Sequence, residues 1–159
     1  MGYTHYVTRP TNNSGSAEMY GKLALDAKAI CEYAQSNGID LGDWDGRFGT
    51  EPSFTEGRFS LNGVDYGHTD YSHESFVWDA LPSQPEHRKN DPNYFMFCKT
   101  AYKPYDAVVT AILIRAKVIY GSLVTVSSDG NWADWELGQR MYANVFGEAA
   151  ECPFNEVSV

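Results

Sequence analysis

Between Tyr94 and Ser127 the spacing of apolar positions changes twice. Residues 94–100, YFMFCKT, alternate every second position, with Phe95, Phe97 and Lys99 on one face and Tyr94, Met96 and Cys98 on the other. After Pro104 the repeat becomes helical. Tyr105, Val108, Val109, Ile112, Leu113, Ala116 and Ile119 form a wide apolar stripe, and Asp106, Thr110 and Lys117 mark a narrow polar side. Residues 123–127 alternate again, Leu123, Thr125 and Ser127 against Val124 and Val126. The pattern predicts a β-α-β unit that holds most of the side chains able to anchor a core. Its helix is rich in β-branched residues, which lowers intrinsic propensity, so it depends on burial against a sheet. Pro104 suits a first helical turn and Gly121 a helix end.

The remaining elements follow the same logic. Residues 3–8 predict a strand with Tyr3, His5 and Val7 on one face, ended by Arg9-Pro10. A helix is predicted over 17–36, with Tyr20, Leu23, Ala27, Ile30, Cys31 and Ala34 buried, Ser14 or Ser16 as its cap, and Asn37-Gly38 as its stop. Residues 40–55 mix glycine, aspartate and aromatics, the composition of a long functional or mobile loop. Strands are predicted at 58–61 and 64–66, joined by an Asn62-Gly63 hairpin turn, and at 75–78. Residues 81–92 read as a surface loop. A last helix begins near Asn131 or Asp134 and ends at Gly147, with Phe154 available to dock the tail.

Strand, helix, short strands, strand, helix, strand, helix gives an α+β fold. The expected form is a two-layer α/β sandwich with a mixed or mostly antiparallel sheet, two or three helices on one face, and a split β-α-β core. The chain of 159 residues, 43% hydrophobic with 11 Tyr, 8 Phe and 4 Trp, fits one globular domain, 1–159. Its formal charge is −9, of which the first eighty residues carry −7. That balance disfavours general nucleic-acid binding, because like charge repels phosphate. Cys31, Cys98 and Cys152 are too few and too scattered for a disulfide scaffold, so reduced thiols and a cytoplasmic location are expected. No segment reads as a leader or a membrane span, and the Asn12-Asn13-Ser14 sequon carries no weight.

Candidate chemistry gathers where strands meet helices. Lys99, Thr100, Tyr102, Lys103, Tyr105 and Asp106 lie at one such junction, where free backbone donors and two lysines suit an anion. The plainer alternative is an exposed helix start with solubilising charge. Ser127, Ser128, Asp129, Gly130, Asn131, Trp132, Asp134 and Trp135 form a second junction, able to bond and stack a polar ring, or simply a turn and a cap. His5 is either a satisfied core histidine or a base paired with Asp129 or Asp106. Asp65, His68, Asp70, His73 and Glu74 offer ligand atoms, but their spacing matches no metal motif, and loop surface is the simpler reading. His87 sits in a solvated charge run. No Walker loop, CxxC pair or nucleophile elbow is present, and no cofactor is implied.

The opening MGYTHY, with FCKTAYKPYDAVV and VSSDGNWADW, resembles segments of a family of small uncharacterised proteins of bacteria and their phages. The resemblance implies a cytoplasmic accessory role, with a phage origin among the options, and carries no catalytic assignment. It lends interest to His5, Lys99, Thr100, Lys103, Tyr105, Asp106, Ser128, Asp129, Gly130, Trp132 and Trp135, and it leaves residues 38–93 without support. The leading expectation is binding of a small anionic or nucleotide-like ligand without turnover, by His5, Lys99, Thr100, Lys103, Tyr105, Asp106, Ser128, Asp129, Trp132 and Trp135. One alternative is an acidic module that docks on a host protein. Another is a small hydrolase using a His-Asp pair.

Overall fold

A computed structural model describes residues 2–12 and 15–154. The fold is α+β, with six strands and three α-helices in that stretch: β1 (Thr4–Pro10), α1 (Ala17–Ser36), β2 (Ser53–Phe54), β3 (Arg58–Leu61), β4 (Phe76–Asp79), β5 (Asn93–Lys99), α2 (Asp106–Tyr120), β6 (Thr125–Ser128) and α3 (Glu136–Phe146). The strands form two antiparallel three-stranded sheets, ordered β5-β1-β6 and β2-β3-β4, where one sheet was expected.

The first sheet is the split β-α-β core. β5 and β6 are joined through α2 and lie on either side of β1, each antiparallel to it. The register sets His5 between Cys98 and Ser128, and Val7 between Met96 and Val126. Tyr3, His5, Val7 and Arg9 therefore turn inward, while Tyr6 turns outward beside the exposed Phe95 and Phe97. The strand runs on through Arg9-Pro10 because Arg9 is needed inside. Its guanidinium lies 4.5 Å from the Trp78 ring centre and 5.3 Å from that of Tyr120. It also donates to the Asp79 carbonyl at 2.8 Å, which fastens the first sheet to β4 of the second.

The helices cover the inner face. Ser16 caps α1 by accepting the Met19 N–H at 3.1 Å; the other predicted cap, Ser14, lies outside the described residues, as does Asn13 of the sequon. α2 is buried at every position from Ala107 to Ile114. Part of the predicted polar side is covered as well. Thr110 is fully buried, its hydroxyl bonds to the carbonyls of Asp106 and Ala107, and Gly138 of α3 presses against it. Residues from both sheets and all three helices join one apolar cluster, so each sheet depends on the other for its core.

The segment between β3 and β4 departs from the predicted hairpin. β3 pairs with β4, and residues 62–75 make an excursion between them. Asn62 is 1% exposed, and its side chain does not serve a turn. Its amide donates to the carbonyls of Trp44 and His73, and its oxygen accepts from Gly63 N–H and His73 N–H. Gly63 is required because a Cβ there would lie 2.1 Å from the Tyr71 carbonyl oxygen. Phe154 pairs with Val126 at the open edge of β6, as the docked tail requires. Among the described residues no helix is long and apolar enough to cross a membrane.

Candidate functional site

Two places on the molecule gather chemistry. The first is the meeting point of β1, the start of α2 and the turn after β6. His5 is 1% exposed there. Its Nδ1 lies 2.8 Å from Ser128 Oγ and its Nε2 2.6 Å from Asp106 Oδ1. Ser128 Oγ accepts from Gly130 N–H at 3.0 Å and from Trp135 Nε1–H at 3.3 Å. Two accepted bonds occupy both lone pairs of a hydroxyl, so its own proton points at His5 Nδ1. The proton on the imidazole is then on Nε2, facing Asp106. Asp106 Oδ1 also accepts the Thr100 hydroxyl at 2.6 Å, in the first turn of α2, where the helix dipole favours a carboxylate. The rings of Tyr3 and Trp135 stand edge-on to the imidazole at 4.9 and 5.0 Å.

Most of the remaining residues named from the sequence anchor this junction. Asp129 accepts from Thr4 N–H and from the Tyr6 hydroxyl, and the latter bond raises the Tyr6 pKa. Lys99 gives its backbone N–H to Glu74, while the Lys103 ammonium donates to the Asp70 carbonyl at 2.7 Å. Tyr105 is buried with its hydroxyl on the Glu74 carbonyl, and burial raises its pKa. Asn131 and Asp134 form a reciprocal cap on the turn Trp132–Trp135; Trp132 packs against Trp135 and Phe154. His5, Thr100, Asp106, Ser128 and Trp135 are thus brought together, and Lys99 and Lys103 lie outside that cluster. The carboxylates of Asp106 and Asp129 stand at the place where an anion was expected, which opposes one electrostatically.

The second place was not singled out from the sequence. A cleft of about 490 Å³ is lined by Asp40, Phe48, Glu51, Val64 and Tyr66 among others. A second, of about 310 Å³, is lined by Asp40, Val64, Tyr66, Tyr71 and Pro104. Asp40, Val64 and Tyr66 belong to both, so they form a shared wall. The Tyr66 hydroxyl donates to Asp40, and that carboxylate raises the Tyr66 pKa. Phe48 tilts against Tyr66 at 5.6 Å on one side, and Tyr71 stands perpendicular to it at 6.1 Å on the other. Phe48, Trp44 and Tyr71 are 69%, 62% and 44% exposed. Backbone bonds from Gly42 to Asn62, Asp65 to Gly46 and Tyr71 to Val64 hold the loops as one platform around buried Asn62.

The charge around these clefts is mostly negative, with the Lys103 ammonium on the Asp70 carbonyl beside Tyr71 and Pro104 of the second cleft. Residues 38–75 carry eight carboxylates and two arginines. Both arginines are paired, Arg47 with Asp45 and Arg58 with Asp79. The sequence signal was present, as aromatics interleaved with acids in a glycine-punctuated loop, but the two clefts arise only from the bonds that fold that loop. The carboxylates beside the nearby histidines are engaged elsewhere. Asp70 is committed to Ser72, whose bonds lower its pKa, and Glu74 to the Lys99 N–H. Among the described residues no group of three or more His, Cys, Asp or Glu is placed to hold a metal ion. Family models, curated proteins and solved structures offer no match to this chain.

Proposed function

We propose that this chain is a binding module whose acidic, aromatic face receives a basic segment of a protein partner. The observation that carries the reading is the pair of clefts sharing the Asp40–Tyr66 wall, in a segment whose carboxylates outnumber its cations. A lysine or arginine side chain entering either cleft meets a carboxylate and the face of an aromatic ring. A cation over such a ring gains about 0.5–2 kcal/mol, depending on how dry the site is. The platform is held by backbone bonds before any partner arrives, which lowers the entropy lost on binding. Steering by the acidic face speeds encounter and makes it sensitive to salt.

This is the acidic-module alternative of the sequence reading, and the site moves from the strand-helix junctions to residues 39–71. An accessory role agrees with the resemblance to bacterial and phage proteins. The three cysteines are free, which suits a reducing compartment such as the cytoplasm. The test is calorimetric titration with a synthetic peptide rich in lysine and arginine. Binding should weaken as salt rises and fall about tenfold in an Asp40→Asn, Glu51→Gln variant, the loss of roughly 1.4 kcal/mol. No binding at low salt, or equal binding by the variant, would refute the reading.

A further inference from the structure

The His5 cluster holds an arrangement that the binding face does not use. Ser128, His5 and Asp106 are linked in series at 2.8 and 2.6 Å, with the serine proton already directed at the imidazole. Hydroxyl, imidazole and carboxylate in that order make an activated nucleophile, here with the two ring nitrogens exchanged relative to the serine-protease template. Two further observations distinguish the cluster from a packing device. The Tyr3 hydroxyl is buried beside it, within reach of Ser128 but with no hydrogen bond of good geometry. A buried hydroxyl so placed destabilises a fold, and a phenylalanine would fill the space without that cost. The phenol lies against Gly130, where a Cβ would stand 2.4 Å from its oxygen. Then, Ala101 and Tyr102 adopt left-handed backbone in succession, φ 51° and 60°, although neither is glycine. Such strain concentrates where a segment must be held for use. Here it holds the exposed Tyr102 ring flat on Tyr3, 3.8 Å away and 22° from parallel.

We infer that Ser128 is an acyl-accepting nucleophile with His5 as its base, Asp106 as the group that positions His5, and Tyr102, stacked on the neighbouring Tyr3, as the flap that a substrate displaces. The substrate class is esters bearing a flat aryl group, whose ring replaces that of Tyr102 on Tyr3. The Ser128 Oγ–carbon bond forms as the hydroxyl proton passes to His5 Nδ1. The longer of the two accepted bonds, from Trp135 at 3.3 Å, gives up the lone pair that attacks while the Gly130 N–H stays on Oγ, and the Tyr3 hydroxyl donates to the carbonyl oxygen as it becomes negative. The carbon–oxygen bond to the aryl group breaks, and the leaving aryl oxygen takes the proton from His5. Water then repeats the sequence on the acyl-serine and releases the acid.

The experiment treats the full chain with an alkyl fluorophosphonate, which forms a Ser Oγ–phosphorus bond and expels fluoride, and locates the adduct by peptide mass. Tyr102→Gly is the key variant, because glycine accepts the backbone conformation that tyrosine holds under strain. A single adduct at Ser128 is expected, formed about tenfold faster in Tyr102→Gly than in the parent chain. Adding Asp106→Asn should slow that reaction about a hundredfold. If Tyr102→Gly fails to fold, Tyr102→Asn serves, since asparagine also accepts this conformation. No Ser128 adduct in a folded flap variant, a rate indifferent to the flap, or a rate indifferent to Asp106→Asn would each overturn the inference.

Discussion

Ser128→Ala probes the junction most sharply, because one hydroxyl serves three partners. Its loss leaves His5 Nδ1, Gly130 N–H and Trp135 Nε1–H without the atom they now share. Each buried polar group so stranded costs about 1–3 kcal/mol. His5 and Trp135 are each 1% exposed and carry the full penalty, whereas Gly130 is half-buried and water offsets part of its loss. The sum is about 3–5 kcal/mol, a large share of the roughly 5–15 kcal/mol that holds a domain together. Urea unfolding followed by tryptophan fluorescence measures it, as a lower midpoint at unchanged slope. Ser127→Ala is the control. Ser127 is exposed on the outer face of the same strand, and the change should stay within about 0.5 kcal/mol. A loss below about 1 kcal/mol for Ser128→Ala would show that water or a shifted neighbour replaces the hydroxyl, and the hydrogen-bond assignment would fail.

Further outcomes follow from other contacts. Gly138→Ala gains about 0.5–1 kcal/mol of helix propensity but sets a Cβ 2.0 Å from Thr110 Oγ1 and 2.8 Å from its Cβ, so calorimetric melting should show a net loss of about 1–2 kcal/mol, only partly recovered by adding Thr110→Ala, which keeps that Cβ. Asp26→Asn removes the carboxylate 2.7 Å from Arg115 Nε, in a pair where both side chains are mostly buried, and should cost about 2–3 kcal/mol in urea unfolding. Burial pushes Tyr3, Tyr20 and Cys31 up to about 12. Their neutral forms are favoured in the fold, so the unfolded chain gives up its protons first. Their contribution is complete below the unfolded values, about 8.5 for the thiol and about 10 for the phenols, and falls away as pH rises towards 12. Unfolding midpoints across that range should decline together with the rise of phenolate absorbance, and a flat profile would contradict the burial of these groups.

Much of the fold was legible in the sequence because its periods are clean. Alternation in residues 94–99 separates outward Phe95 and Phe97 from inward Met96 and Cys98, and the helical repeat of residues 17–36 ends at Asn37. The errors share a cause: long-range packing overrode local chemistry. Asn62-Gly63 has the composition of a hairpin turn, yet Asn62 is captured by Trp44 and His73. Thr110 looks like a solvent-facing position until Gly138 admits α3 against it. Arg9 looked like a strand end and proved to be a cation held between two rings. The junction residues can be read as a group, since strand ends and helix starts are visible locally. Their pairing was left open, and it is Asp106, not Asp129, that takes His5. The Asp40–Tyr66 wall stayed hidden because the loop that makes it has no period, only contacts between residues far apart in the chain.

The binding face is tested most directly by mapping backbone amide shifts in a nuclear magnetic resonance titration with the lysine- and arginine-rich peptide. Shifts confined to residues 39–51 and 64–71, and reversed by salt, are the expected result. Shifts centred on the outer face of β1 and β5, or an unchanged spectrum at low salt, would contradict the assignment of this face.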